Sequence, residues 1–334
     1  MNATSRLGAS TLGVWTRADA LACLTRGRID ALIASGCWQV LWPGVYADNG
    51  YVLDAEQRAM ATVLAATRDH VVANGQPPAA ATGRTAARML RLPLIDDDDP
   101  ATGGQEHRHD DVAVRTRSSV VGGSDGRRLH RLQRDLDAAQ VMRLSNGLWV
   151  TSPERTLLEC ARTLTADALV CLLDAALHRH LWTSADVAQA LERQAWCWGA
   201  PALRQALADS DARAESPAES LVRLRLLPHL PALVPQLRLH DGSGRLLRRF
   251  DLADRAIRFA VEADGRRGHA GRHMVARDQR RDVVSEGEGW RVERCTWWDA
   301  RAEPAAMVSR VVRAARSHAE LVNGTAHRRS ASAA

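Results

Sequence analysis

The 334-residue sequence contains no lysine; all 45 of its basic residues are arginine. That excludes Schiff-base catalysis on a lysine side chain, the phosphate-loop lysine of Walker-type ATPases and the usual kinase lysine. Cysteine is scarce and scattered. The six, at positions 23, 37, 160, 171, 197 and 295, form no C-x-x-C pair, which argues against a zinc ribbon and a compact disulfide framework and fits a reducing compartment. Long apolar runs are missing too. The opening MNATSRLGAS has no signal-peptide core, and the most apolar stretch, ALVCLLDAAL at 168–177, is short and broken by Asp174. A soluble cytoplasmic protein with no membrane attachment is therefore expected.

Hydrophobic residues at 46% and charged residues at 25% are ordinary globular values, and the length suggests two or three domains at roughly 150 residues each. The formal net charge of +6 is unevenly spread. Residues 1–210 hold 22 Arg against 23 acids, whereas residues 211–334 hold 23 Arg against 16, so a surplus of seven positive charges sits in the last third. Guanidinium grips phosphate bidentately, which suits a polyanionic partner. A compositional habit of using Arg for Lys on solvated faces accounts for the same numbers.

The first eighty residues read as short helices followed by a hairpin. Thr16 can cap a helix starting at Arg17, Leu24-Thr25 make a break, and a second helix runs from about Arg26 to Ser35, stopped by Gly36. In WQVLWPGVYAD at 38–48, two β-rich stretches flank a Pro43-Gly44 turn. Helix, turn, helix, wing is the order of a winged helix-turn-helix module. The segment TRADALACLTRGRIDALIASGCWQVLWPGVYAD resembles the N-terminal winged helix of AbiEi-like type IV antitoxins, over roughly the first seventy residues. The resemblance implies a DNA-binding repressor of a toxin–antitoxin operon, with Arg26 and Arg28 in the second helix as nucleic-acid contacts. That helix is usually arginine-rich in the family; here only those two precede the apolar IDALIA. The alternative is a small helical domain in which Trp38, Trp42 and Tyr46 fill its own core or a dimer surface.

A mixed region follows to about Ser210. It contains an amphipathic helix near 55–68, a polar stretch at 96–111, β-like runs at 112–121 and helices from Ser152 onward. In the polar stretch, DDDDPATGGQEHRHDD, His107, His109, Asp110 and Asp111 are conceivable metal ligands, but consecutive acids beside glycines read more simply as a mobile solvated loop. TSPERTLLECARTL at 151–164 has Ser152 as cap, Pro153 in the first turn and an apolar face, and reads as scaffold.

The last third changes character. In AESPAESLVRLRLL at 214–227, Ser216, Pro217 and Glu219 occupy the cap, first and third positions of a helix whose Leu221, Leu224 and Leu227 continue down one face. VPQLRLHDGSGRLLRRFDLAD at 234–254 reads as two strands about a DGSG turn, and IRFAVEADG at 257–265 as a third. A helix containing MVARDQRRDVVSEG, a buried strand GWRVERCTWWD at 289–299 and a closing helix PAAMVSRVVRAAR complete the order. Helix, three strands, helix, strand, helix is the layout of a restriction-endonuclease-like core. Strand side chains alternate, so Glu262 and Asp264 point the same way, and Asp251 joins them if 251 and 262 pair across a turn. Three carboxylates then converge, a hard-oxygen set suited to Mg²⁺ or Mn²⁺.

Positions 215–315 resemble the endonuclease-like domain related to very-short-patch-repair enzymes, a branch of the PD-(D/E)xK superfamily. The matching pieces are ESPAES, FDLA, VEADG followed by His269, ARDQRRD and GWRVERCTWW. The resemblance implies Asp251 and Glu262 as metal ligands, Asp264 in the place of the superfamily lysine as a further ligand or general base, and Glu219 as a helix carboxylate that orients a ligand. It also implies Arg277 and Arg281 as phosphate-stabilising cations, with Arg266, Arg267, His269 and Arg280 as further nucleic-acid contacts. Val283 stands where the family usually has Asn, and Gly268 where it has a second histidine. Structural readings stand beside these: Glu219 as capping-box partner of Ser216, Arg277 and Arg281 as a salt-bridged solvated face, and His269 as a loop histidine.

The expectation is thus a mixed α/β protein: a winged helix at 1–75, a connecting region at 76–210 that is mainly helical after 151, a restriction-endonuclease-like domain at 211–320 and a disordered tail at 321–334. Its expected activity is Mg²⁺- or Mn²⁺-dependent hydrolysis of phosphodiester bonds in nucleic acid, with double-stranded DNA as the partner. The alternative is a non-catalytic DNA-binding regulator or antitoxin acting on the promoter of a toxin operon.

Overall fold

The computed structural model describes residues 7–9, 11–50, 52–67, 79–98, 109–114, 128–131, 138–193, 199–265 and 287–332. Among these residues the architecture is mixed α/β with three small sheets. The chain divides into two compact units, Met1–Leu169 with Trp182–Gln205, and Val170–Leu181 with Ala206–Ala334.

The first unit opens with strand β1 (Val14–Thr16), helices α1 (Arg17–Leu21) and α2 (Arg26–Ala34), and the hairpin β2 (Trp38–Trp42) and β3 (Val45–Asp48). These strands form an antiparallel sheet in the order β1-β3-β2. Thr16 caps α1 through a box not read from the sequence: its hydroxyl accepts the Asp19 N–H at 3.2 Å, and Asp19 Oδ2 accepts the Thr16 N–H at 2.9 Å. Losing that pair is expected to cost about 1 kcal/mol in the Thr16→Ala variant, measurable by urea unfolding. Gly44, at φ +78, supplies the left-handed residue of the hairpin turn. Of the expected trio, Trp38 and Tyr46 share a core cluster with Trp15, whereas Trp42 does not. Trp38 lies edge-on to Trp15 at 5.0 Å and tilted against Tyr46 at 5.8 Å.

Trp42 and Val45 belong to a second cluster that runs into the rest of the unit: α3 (Ala55–Thr67), β4 (Ala79–Ala81), α4 (Gly83–Met89), β5 (His109–Val114), β6 (Arg128–Arg131), β7 (Val141–Arg143) and β8 (Trp149–Thr151). The five strands order as β6-β5-β4-β8-β7. One apolar cluster spans the hairpin, α3 and this sheet, beside the separate cluster of Trp15, Trp38 and Tyr46; the boundary expected at residue 75 lies outside the described residues. His109, Asp110 and Asp111 lie in strand β5, not in a loop, while His107 falls outside the described residues. Helix α5 (Pro153–Cys160) starts as expected, with Ser152 Oγ accepting the Arg155 N–H.

Helix α6 (Ala166–His178) carries the chain into the second unit, α7 (Ser184–Arg193) belongs to the first, and α8 (Ala200–Asp209) leads back. The two units therefore interleave along the chain between Leu169 and Ala206. The second unit continues with α9 (Pro217–Leu226), β9 (Val234–His240), β10 (Leu246–Asp254), β11 (Phe259–Asp264), β12 (Arg291–Thr296), α10 (Trp297–Ala302) and α11 (Pro304–Ser332). Its sheet orders as β12-β11-β10-β9; β9, β10 and β11 form an antiparallel meander, and β11 runs parallel to β12. Parallel neighbours need a crossover connection. The helix expected there falls within 266–286, outside the described residues.

Two readings of this unit are corrected. The WWD of GWRVERCTWWD is helical: Thr296 caps α10 in a box with Asp299, so β12 ends early, and only Cys295 within it is buried. Residues 321–332 continue helix α11, whose run from Pro304 replaces the expected disordered start of the tail. Alanine-rich sequence without an internal proline sustains that helix. Among the described residues no helix is long and apolar enough to cross a membrane.

Candidate functional site

The second unit gathers carboxylates where α9 begins and where β10 and β11 adjoin. Leu252 pairs with Val261, and the next step of that register sets Asp251 opposite Glu262. Asp251 Oδ2 accepts the Ala263 N–H at 2.9 Å, so its side chain reaches the neighbouring strand between Glu262 and Asp264. Glu262 Oε1 is held by Arg248 at 3.1 Å, and that guanidinium is itself buried, with its carbon 5.0 Å from the Phe250 ring centroid. Phe250 in turn stacks on Trp290 at 4.7 Å, which fixes the floor beneath this pair.

Glu219 joins the group from the first turn of α9. Its Oε1 accepts from Ser216 Oγ at 2.9 Å, and its Oε2 accepts the Glu215 N–H and the Gln236 Nε2, each at 2.9 Å. Ser216 Oγ accepts the Glu219 N–H at 3.2 Å. Ser216 thus caps α9, but the expected capping box is not closed, because the Glu219 carboxylate takes the Glu215 N–H and not the Ser216 N–H; the same carboxylate faces the cluster. Glu215 forms an ion pair with Arg249 at 2.7 Å, closing the rim.

The electrostatics are those of negative charges removed from water. Burial pushes the Glu262 carboxyl up to about 7, the nearby Asp251 charge adds to that, and Arg248 opposes it. Burial likewise raises the Asp251 carboxyl, against the Ala263 amide and Arg249, while Glu215 and Asp264 add to the rise. Glu219 is raised by burial and by Asp251. Three desolvated acids, two of them raised further by the Asp251 charge, form a site that favours a proton or a cation.

This has a direct consequence for stability. The folded Glu262 carboxyl binds its proton more tightly than the unfolded one, so its contribution is complete below about pH 4.5 and is lost as pH rises through about 7. With the side chain 19% exposed, stability on the order of a few kcal/mol should disappear between pH 4.5 and pH 8 in EDTA. Chemical denaturation across that range should show the fall in wild type and a flatter profile in Glu262→Gln.

The expected site residues separate into groups. Asp251, Glu262 and Glu219 come together. Asp264 sits at the exposed end of β11, and among the described residues no three His, Cys, Asp or Glu form a group with the spacing to hold one ion. The three-ligand set of Asp251, Glu262 and Asp264 is therefore not assembled. A smaller set fits better, because Mg²⁺ commonly takes one or two carboxylates and keeps several waters. Asp251 and Glu262 have the right hard-oxygen chemistry. Beside them Gln236 Oε1 is buried without a hydrogen-bond partner, a further neutral oxygen in the same site. Arg26 and Arg28 are exposed in the first turn of α2. Arg266, Arg267, His269, Arg277, Arg280 and Arg281 lie outside the described residues.

No protein-family model matches the chain. Two proteins of Mycobacterium tuberculosis are similar to it: Uncharacterized protein MT2308 of strain CDC 1551 and Uncharacterized protein Rv2248 of strain H37Rv. Each is 28% identical over 291 residues, covering 87% of this chain and 97% of the relative. The likeness is too long to be confined to either compact unit.

Sequence reasoning missed Arg248, Arg249, Glu215 and Gln236 as parts of this site. Glu215 and Arg249 carried a weak signal, each lying within a few residues of a candidate acid. Gln236 carried none, since an uncharged residue in a β-rich run reads as strand filler.

Proposed function

We propose that the second unit is a divalent-cation-dependent nuclease that hydrolyses phosphodiester bonds, built as a restriction-endonuclease-like core of the very-short-patch-repair type, and that the N-terminal strand, helix pair and hairpin form a winged helix that holds nucleic acid. The observation that carries the reading is the desolvated acid group Asp251, Glu262 and Glu219 at the adjoining strands of a meander-plus-parallel sheet. Asp251 and Glu262 would hold the cation. When bound, Mg²⁺ or Mn²⁺ supplies Lewis-acid polarisation of the phosphodiester and acidifies water for attack.

The chain's own groups do the rest. The Ala263 amide fixes the Asp251 carboxylate, Arg248 orients Glu262, and Ser216 with the Glu215 amide hold Glu219 in place. No serine or cysteine in this set is arranged as a nucleophile, so water is the attacking group and no covalent enzyme intermediate is needed.

One observation favours a second reading, a non-catalytic DNA-binding regulator of the antitoxin type. Glu262 Oε1 rests on a guanidinium, an arrangement that neutralises the acid without any ion. Plasmid nicking in Mg²⁺ or Mn²⁺, run beside a gel-shift on the protein's own promoter, separates them: the nuclease nicks, whereas the regulator binds with strong salt dependence and nicks under neither metal.

A further inference from the structure

Gln236 combines two unfavourable features in one residue. Its φ of +55 lies in the left-handed region, where a side chain with a Cβ is strained, although it sits inside strand β9. Its Oε1 is buried and accepts no hydrogen bond, although an unpartnered buried oxygen is costly. Neither feature helps the strand: the residue faces Glu219, to which its Nε2 donates at 2.9 Å. With Glu219 ionised, that bond fixes the amide orientation, because the flipped amide would turn an oxygen onto the carboxylate. The oxygen without a partner then lies beside a carboxylate that feels the Asp251 charge.

We infer that Gln236 is a positioning residue of the cation site: its Nε2 holds Glu219, and its Oε1 is kept as an acceptor for the hydrated Mg²⁺ or Mn²⁺ held by Asp251 and Glu262. This rests on the cation reading above and adds to it a neutral oxygen, which the sequence resemblance does not assign. A neutral acceptor suits the place. A further acid beside Glu219, Asp251 and Glu262 would raise their pKa values and favour protons over the ion. An amide oxygen binds the water shell of a hard cation without adding charge. Gln236 keeps the alternation of β9, between buried Pro235 and Leu237, and from that face its Nε2 reaches Glu219.

The test is a Mn²⁺ titration followed by thermal shift, on full-length protein without nucleic acid, comparing wild type with Gln236→Gly and Gln236→Leu. Glycine tolerates the left-handed backbone, so that variant folds even if leucine does not. The expected result is a midpoint for Mn²⁺ raised at least about tenfold in the glycine variant, with a metal-free melting temperature equal to or above wild type. Gln236→Asn, which keeps an amide on a shorter arm, should recover part of the Mn²⁺ affinity, which a purely structural role would not require. A wild type that shifts with Mn²⁺ while Gln236→Gly shifts at the same midpoint overturns the role of Gln236 and leaves the cation reading intact. A wild type unmoved by Mn²⁺ overturns both.

Discussion

Glu262→Gln and Asp251→Asn should each lower Mg²⁺- or Mn²⁺-dependent plasmid nicking by at least about a hundredfold, because each removes a charged oxygen from the pair proposed to hold the cation. The substitutions are chosen so that packing survives. Glutamine keeps an oxygen for Arg248 to donate to, and asparagine keeps one for the Ala263 amide. Neither leaves a new cavity. Both variants should therefore remain folded, and Glu262→Gln should lose the pH dependence of stability that the raised carboxyl gives to wild type. Nicking that survives in both variants, with contaminating nuclease excluded by a mock purification, refutes the assignment.

Asp174→Ala should produce the largest loss of stability, about 3–5 kcal/mol. Asp174 is buried and accepts three hydrogen bonds: from the Asp211 N–H at 2.7 Å, from Ser220 Oγ at 2.7 Å and from Arg223 at 3.0 Å. Burial raises its carboxyl, and Arg223 with Ser220 pulls it back. Alanine would leave the Arg223 guanidinium buried and unpaired by its carboxylate, which is far worse than never having had the pair. The double replacement Asp174→Leu with Arg223→Leu should restore most of the loss in urea unfolding. If the single variant unfolds at the wild-type midpoint, the ion pair is not formed in solution. The effect extends to the candidate site, since Ser220 adjoins Glu219 in α9 and Asp174 is what ties that helix to α6.

Local chemistry was readable in the sequence wherever a short motif decides it. The caps at Thr16, Ser152 and Ser216, the Pro43-Gly44 and DGSG turns, and the strand alternation that sets Glu262 and Asp264 on one side all depend on neighbours a few residues away, whereas the pairing of Asp251 with Glu262 was only a condition until the register supplied it. What stayed hidden depends on distant partners. Asp174 read as an interruption of an apolar stretch because nothing local points to Arg223, forty-nine residues on. Ala79–Ala81 looks helical by propensity and is a strand only because β5 and β8 flank it. The Thr296-x-x-Asp299 box was present in the sequence but was masked by two tryptophans, which favour strands. Arg248 is adjacent to a residue of the same charge, and its role appears only when β11 brings Glu262 within reach.

The two compact units are interleaved along the chain, with Val170–Leu181 in the second and Trp182–Gln205 returning to the first. During synthesis, the stretch bearing Asp174 leaves the ribosome well before α9, and the first unit cannot close until residue 205 has emerged. A gene fragment starting at residue 211 would encode every candidate acid and still lack the counter-ion of Arg223. Expression trials and recombination alike must therefore carry the two halves together.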